Sequence, residues 1–177
     1  MVAKAGCSVS VTPYTEMRTG FGFPKVQEYL DAGVRVGVGV DTTALSGDAN
    51  MFEIMKGVQN IENAVALSEF KMSARRALEL GTIGGARSRG LDRQIGSLVK
   101  GKRADLIMVG TRNVNLGIVT DPYDAVVGAM QPSNVDLVMV DGRILKREGK
   151  LVAVDADQVV AEAKAANIAL RARAGWW

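Results

Sequence analysis

Residues Val34–Val40 alternate more clearly than any other stretch of the chain. Val34, Val36, Val38 and Val40 face one way and Arg35, Gly37 and Gly39 the other, which is the period-two pattern of a strand. Upstream, Ser8–Thr12 reads as another strand, with Val9 and Val11 alternating against Ser8 and Ser10, and Pro13 stops it. A glycine-marked loop, Thr19–Gly22, follows. Pro24 then opens a helix with Val26, Tyr29 and Leu30 on one face and Gly33 just past its end. Strand, helix and strand in such close succession predict a βαβ unit with parallel strands. The valine face needs a covering helix layer. The glycine face suits an interior where backbones or a ligand approach closely. A barrel and a doubly wound sheet both meet these demands, and both put ligands at the carboxyl ends of the strands. The residues just past those ends are Thr12–Glu16 and Asp41–Asp48.

Downstream the texture changes twice. Asn50–Met55 begins a helix whose apolar face continues through Ile61, Ala64, Val65 and Leu67. Ser73–Leu80 reads as a second helix ended by Gly81, with a short helical turn at Ile83–Arg89 after it. Ile95–Leu98 and Asp105–Val109 then read as strands around a Lys100–Lys102 turn. Asp121–Ala129 is a short helix with Pro122 at its first position. Val135–Val140 and Arg143–Lys146 form a hairpin about Asp141-Gly142, and Leu151–Val154 is a further short strand. Asp155 caps a last helix with Val159, Val160, Ala163 and Leu170 on one face and Gly175 at its end. The chain is therefore α/β to about residue 92, then mostly β, then one helix.

Composition removes whole classes of chemistry. The 177 residues contain no histidine, which excludes Ser-His-Asp and Cys-His catalysis and histidine metal sites from this chain acting alone. One cysteine, Cys7, excludes an internal disulfide and a CxxC metal site. Lys and Arg number 22 against 19 Asp and Glu, a net charge of +3 spread along the sequence. Such scatter is unlike the clustered basic face of a nucleic-acid binder. The amino-terminal residues lack an apolar signal core, and glycines and charges break every run long enough to cross a bilayer. The expectation is a cytoplasmic protein with no membrane and no nucleic-acid partner.

Two glycine motifs carry no nucleotide chemistry. Gly96–Lys102 fits G-x-x-x-x-G-K, but Arg103 stands where the Ser/Thr of a phosphate loop belongs, and the motif precedes a strand instead of following one. Gly37 and Gly39 lack the third glycine of a dinucleotide fingerprint. Gly81-Thr82-Ile83-Gly84-Gly85 reads as a packed corner between helices. Among single residues, Asp41 stands out because it follows an apolar strand where such folds place chemistry. Position alone favours an aspartate that caps a helix or closes a turn with Thr42 and Thr43. Asp48 reads as a cap for the helix at Asn50, Glu53 as a solvated face, and Glu16 as an exposed residue of the loop after the first strand.

Val11-Thr12-Pro13-Tyr14-Thr15-Glu16-Met17, Thr19-Gly20-Phe21-Gly22-Phe23-Pro24, Gly37-Val38-Gly39-Val40-Asp41, Ser46 and Met51-Phe52-Glu53 resemble the distal barrel of the amidohydrolase superfamily. The resemblance is to its cytosine deaminase, methylthioadenosine deaminase and atrazine chlorohydrolase branch. Ala77–Ala86, Ile95–Leu98, Gly101–Leu106 and Val140–Arg143 resemble that family's carboxyl-terminal region. The resemblance implies the last two strands of a TIM barrel in residues 1–92, part of a small β-sandwich in 93–154 and a terminal helix in 155–177. It implies hydrolysis of an amino or chloro substituent on a heterocyclic ring. It also implies a divalent metal, zinc or iron, at the barrel's carboxyl end. Asp41 matches the aspartate after the last barrel strand, which binds the metal and takes the proton from the attacking water. A carboxylate suits that work because it can hold a cation, orient hydroxide and return the proton to the leaving group. Ser46 matches a serine near the substrate, and Glu16 a polar residue able to touch it.

The family's His-x-His pair and its other histidine ligands belong to strands that this reading places before residue 1. Phe21 stands where relatives often carry His or Asn. The chain is therefore expected to be a carboxyl-terminal portion of a longer enzyme, inactive and without a tightly bound metal by itself. The alternative is a non-catalytic interaction module that reuses this half-fold. Either way, a two-stranded remnant exposes strand edges, so a homo-oligomer is expected.

Overall fold

The two strands of the valine and serine alternations pair in parallel. A computed structural model of the chain describes residues 1–176; Trp177, the last residue of the 155–177 segment, lies outside them. β1 (Ser8–Val11) and β2 (Arg35–Val38) run side by side in register, Val9 opposite Val36 and Val11 opposite Val38. Two helices join them. α1 (Pro13–Arg18) starts where the sequence suggested only an interruption: Pro13 ends the strand and, with no N–H to satisfy, serves as the first helical residue. α2 (Val26–Asp31) ends before Gly33, which takes a left-handed φ of 74°. β2 is shorter than the Val34–Val40 alternation, although Val34 and Val36 are both buried as the pattern requires.

α3 (Thr43–Ser46) and α4 (Met51–Ala66) follow. Phe52, Ile54, Met55, Gly57 and Val58 are the buried side of α4, and the expected continuation fails. Val65 and Leu67 stand in solvent, and Leu67 turns left-handed at φ 51° and takes the chain off the helix. Glu62 is buried in their stead, and its Oε1 accepts the Gln27 backbone N–H at 3.1 Å in the first turn of α2, a buried carboxylate satisfied by a helix start.

Gly81 does not end the next helix. α5 (Ala74–Glu79) passes through a π-helical turn, Leu80–Gly84, into α6 (Gly85–Ser88). The glycines serve close approach instead of termination. A methyl on Gly81 would sit 2.7 Å from Met55 Sδ, and one on Gly84 would sit 2.9 Å from the Glu79 carbonyl and 3.3 Å from that of Val36. The glycine face of β2 is used in the same way: Ser88 and Gly85 of α6 fill the space that a Gly37 side chain would need. A helix, not a ligand, occupies that space.

The remaining strands form one antiparallel sheet in the order β3 (Leu106–Val109), β4 (Val135–Val140), β5 (Arg143–Arg147), β6 (Lys150–Leu151). Ile95–Leu98 is not a strand. The Lys102 ammonium folds into that segment and donates to the Asp92 carbonyl, to the Ile95 carbonyl at 3.1 Å and to Ser97 Oγ at 2.7 Å, so a side chain supplies what a ladder would. Of the expected strand Leu151–Val154 only Leu151 joins the sheet, together with Lys150 before it. α7 (Pro122–Asp124) runs on into a π-helical turn, Ala125–Ala129, and Asp121 caps it as its position suggests. α8 (Ala156–Ala174) is capped by Asp155 and closed by Gly175, yet none of its residues is buried. Its expected apolar face has nothing against it.

Two hydrophobic clusters hold the molecule. Val11, Val26, Val34, Val36, Val58, Met72 and Leu80 pack between β1–β2 and the helices. Phe52, Met55, Ala74, Ala77, Val127 and Val135 pack between α4–α5 and the second sheet. α4 serves both, Val58 in one and Phe52 and Met55 in the other. No described helix is long and apolar enough to cross a membrane.

Candidate active site

All three residues singled out for chemistry lie on the segments that follow the carboxyl ends of β1 and β2. Glu16 is on α1, three residues beyond Pro13, and Asp41 and Ser46 are on the segment that leaves β2. That end of a parallel pair is where the chain leaves the sheet and its side chains are free to converge.

Asp41 has a φ of 64°, a left-handed conformation that a non-glycine residue adopts at a cost of about 1–2 kcal/mol. Aspartate is among the residues that tolerate it. Its side chain is exposed and makes no ion pair or hydrogen bond among the described residues. Asp41 therefore caps no helix among the described residues. Thr42 is the cap of α3, its Oγ1 accepting the Ala44 N–H at 3.2 Å.

Ser46 lies half-buried at the end of α3. Its Oγ is 3.0 Å from the Thr42 carbonyl and 2.7 Å from that of Asp48, so its proton is committed to backbone and its lone pairs remain available as acceptors. Glu16 is half-buried, not exposed. Its Oε1 accepts the Thr12 N–H at 2.7 Å and lies 3.4 Å from Thr12 Oγ1, which ties the first turn of α1 to the end of β1. Asp48 Oδ1 accepts the Asn50 N–H at 3.2 Å, and Asn50 itself caps α4 through bonds from Phe52 and Glu53.

The sequence did not mark the residues that hold this segment in place. Thr15 is buried, and its hydroxyl donates to the Val40 carbonyl at 3.0 Å. Arg18 Nη1 donates to the carbonyls of Leu45 at 3.0 Å and Ala44 at 3.4 Å. Tyr14 lies over Gly57 of α4, where a methyl would come 3.0 Å from its hydroxyl, and donates to the Glu53 carbonyl at 3.3 Å. Burial, and then the nearby Glu53 and Asp48 carboxylates, raise the Tyr14 hydroxyl above its ordinary pKa. A polar residue every third or fourth position along α1 was the available signal, but it says nothing of what those residues reach.

One exposed carboxylate does not make a metal site. Among the described residues no three His, Cys, Asp or Glu side chains come together in a way that could hold an ion. Stable sites need three or more such donors, so the described residues do not by themselves assemble a set of donors that fits a catalytic metal.

Comparison with known proteins gives this geometry a context. The chain is 33% identical over 159 residues to a 5-methylthioadenosine/S-adenosylhomocysteine deaminase of Acetivibrio thermocellus, covering 90% of this chain and 37% of that protein. It is 26% identical to a 5'-deoxyadenosine deaminase of Methanobrevibacter smithii, over 94% of this chain and 38% of the relative. Among solved structures it superposes on a zinc-bound adenosine deaminase of Xanthomonas campestris with a TM-score of 0.91 and 26% identity, covering 96% of this chain and 39% of that one. On the zinc-complexed atrazine chlorohydrolase of Arthrobacter aurescens the TM-score is 0.85 and the identity 27%, over 92% and 36% of the two chains. The chain thus spans less than two-fifths of the length of these relatives, and family members related to it hold zinc. The model of the amidohydrolase family matches residues 1–145, more than half of the chain, and the chain belongs to that family.

Proposed function

We propose that this chain is the distal share of a metal-dependent hydrolase that replaces an amino group, or a chlorine, on a heterocyclic ring, and that Asp41 is its proton-transferring group. The observation that carries this reading is the Asp41 carboxylate, exposed at the carboxyl end of β2, held left-handed and engaged by no other described side chain. In the reaction, water adds to the ring carbon that bears the amino group. Its proton passes to the Asp41 carboxylate and then to the amino nitrogen, which leaves as ammonia while the oxygen stays on the ring. Ser46 presents acceptor lone pairs to the substrate, and Glu16 has its second oxygen left for a substrate hydroxyl or ring N–H. β1 and β2 serve as the last two strands of a barrel, residues 93–154 as part of a β-sandwich and residues 155–177 as an appended helix. The remaining donors of a metal site come from outside these residues, and the chain alone binds no divalent metal tightly.

The names of the relatives make an adenine nucleoside the first substrate to try and atrazine the second. The test is release of ammonia from 5-methylthioadenosine by the full-length protein that carries this segment. Asp41→Asn keeps the shape of the side chain but cannot accept a proton, and turnover is expected to fall by about 10²–10⁴-fold. Residual turnover above about a tenth of wild type would remove Asp41 from this role. An inactive full-length protein with a stable fold would favour the non-catalytic module.

A further inference from the structure

We infer that Thr15 is a positioning residue for Asp41, and that α1 acts as a clamp on the segment that carries it. The inference rests on the proposed role of Asp41 but concerns a different residue and a different element. A non-glycine residue in the left-handed region relaxes unless its surroundings over-determine it, and Asp41 has no side-chain bond of its own to hold it there. Its neighbours supply the constraint. On one side, the carbonyl of Val40 accepts the Thr15 hydroxyl at 3.0 Å, and Thr15 is only 5% exposed. On the other side, Arg18 takes the carbonyls of Ala44 and Leu45 at the end of α3, and Ser46 bonds back to Thr42. The peptide that enters Asp41 and the turn that leaves it are thus both tied down, each by a side chain from α1.

The α1 end of the clamp is fixed in turn. Glu16 binds the Thr12 N–H at 2.7 Å, and the Thr15 carbonyl accepts the Thr19 hydroxyl at 2.7 Å. Within this arrangement Thr15 is the member that bonds the residue next to Asp41, and its own side chain is buried. Removing the hydroxyl leaves a carbonyl without its partner and frees the Val40–Asp41 peptide to turn, which moves the carboxylate without touching it.

Two variants and two readouts test this. Thr15→Val keeps the shape and deletes the hydroxyl; Thr15→Ser keeps the hydroxyl and deletes a methyl. In the chain itself, amide hydrogen exchange over Asp41–Gly47 is expected to accelerate about tenfold in Thr15→Val, with the α4 amides unchanged and Thr15→Ser close to wild type. Exchange over Asp41–Gly47 that stays at the wild-type rate, or rises equally throughout α4, would overturn the clamp. In the full-length enzyme, Thr15→Val is expected to lower kcat by about 10–100-fold with little change in KM, and Thr15→Ser to restore most of it. If Asp41→Asn abolishes turnover while Thr15→Val loosens the segment and leaves kcat intact, the positioning role fails and the role of Asp41 stands. If Asp41→Asn remains active, the proposed reaction fails, and the exchange measurement still decides whether α1 clamps the segment.

Discussion

Beneath β1 and β2, side chains are sealed in: Val26 and Met72 have no exposed surface and Val58 almost none. Around β3–β6 and α8, apolar groups stand in the open, with Met108 59%, Leu151 51% and Ile168 69% exposed. The two regions differ in layering. The parallel pair has helices against it on both sides, α6 on the glycine face and α2 and α4 on the valine face. The antiparallel sheet has α4 and α5 on one face only, with a cleft of about 740 Å³ left between them, lined by Phe52, Met55, Leu78, Ile107 and Val138. Leu106, Met108, Leu137 and Met139 alternate with that face across the β3–β4 register and look away from it. A sheet that is apolar on both faces is built to be covered on both.

Substitutions can break or sharpen this contrast. The largest effect is expected at Met72, the wholly buried side chain under β2, whose backbone N–H is held by Asn63 Oδ1 at 2.7 Å. Met72→Ala should cost about 2–5 kcal/mol in urea unfolding. A loss below about 1 kcal/mol would mean that the first region is no better packed than the second.

Gly84→Ala comes next. The new methyl would meet backbone carbonyls of Glu79 and Val36 at 2.9 and 3.3 Å, which cannot rotate away as side chains do. A cost of about 1–3 kcal/mol is expected. A stable, unshifted variant would show that the π-helical turn relaxes freely and that the contact between α5–α6 and β2 is loose.

Tyr14 offers a test by pH. Its pKa is raised in the folded chain, so folding favours the neutral phenol. That contribution is present below the ordinary tyrosine value near 10 and is lost as pH climbs through the higher folded value. Unfolding measured from pH 8 upward should therefore show an alkaline loss of stability that shrinks in Tyr14→Phe. An identical profile in the variant would place the loss elsewhere.

The smallest effect belongs to α8. Ile168→Ala removes an exposed side chain from a helix and replaces it with a better helix former, so the change should stay within about 0.5 kcal/mol. A loss above about 2 kcal/mol would show that α8 is packed in solution. Association is the natural way for that to happen. The chain expressed alone is expected to form a homo-oligomer through its uncovered faces and strand edges. Sedimentation equilibrium at micromolar concentration giving a single 18.8 kDa species with cooperative unfolding would overturn that expectation.

Where local signals agreed, the sequence was readable. The valine alternation, the helix starts at Ser73, Asp121 and Asp155, the Asp141-Gly142 turn and the glycines after α2 and α8 all stand where sequence alone put them. Each depends on residues within one turn or one strand, and physics at that range is written in order along the chain. The position of Asp41 at a strand end was legible for the same reason. What only the tertiary structure decided is what each face meets. Whether Gly81 and Gly84 end a helix or let one pass close to Met55 and β2, whether Glu62 is solvated or buried at the start of α2, and whether the apolar residues of α8 are covered all depend on elements remote in sequence. The same is true of the clamp on Asp41. Thr15 and Val40 are 25 positions apart, and a hydroxyl carries no sign of which distant carbonyl it will find, because that partner exists only once β1 and β2 have paired.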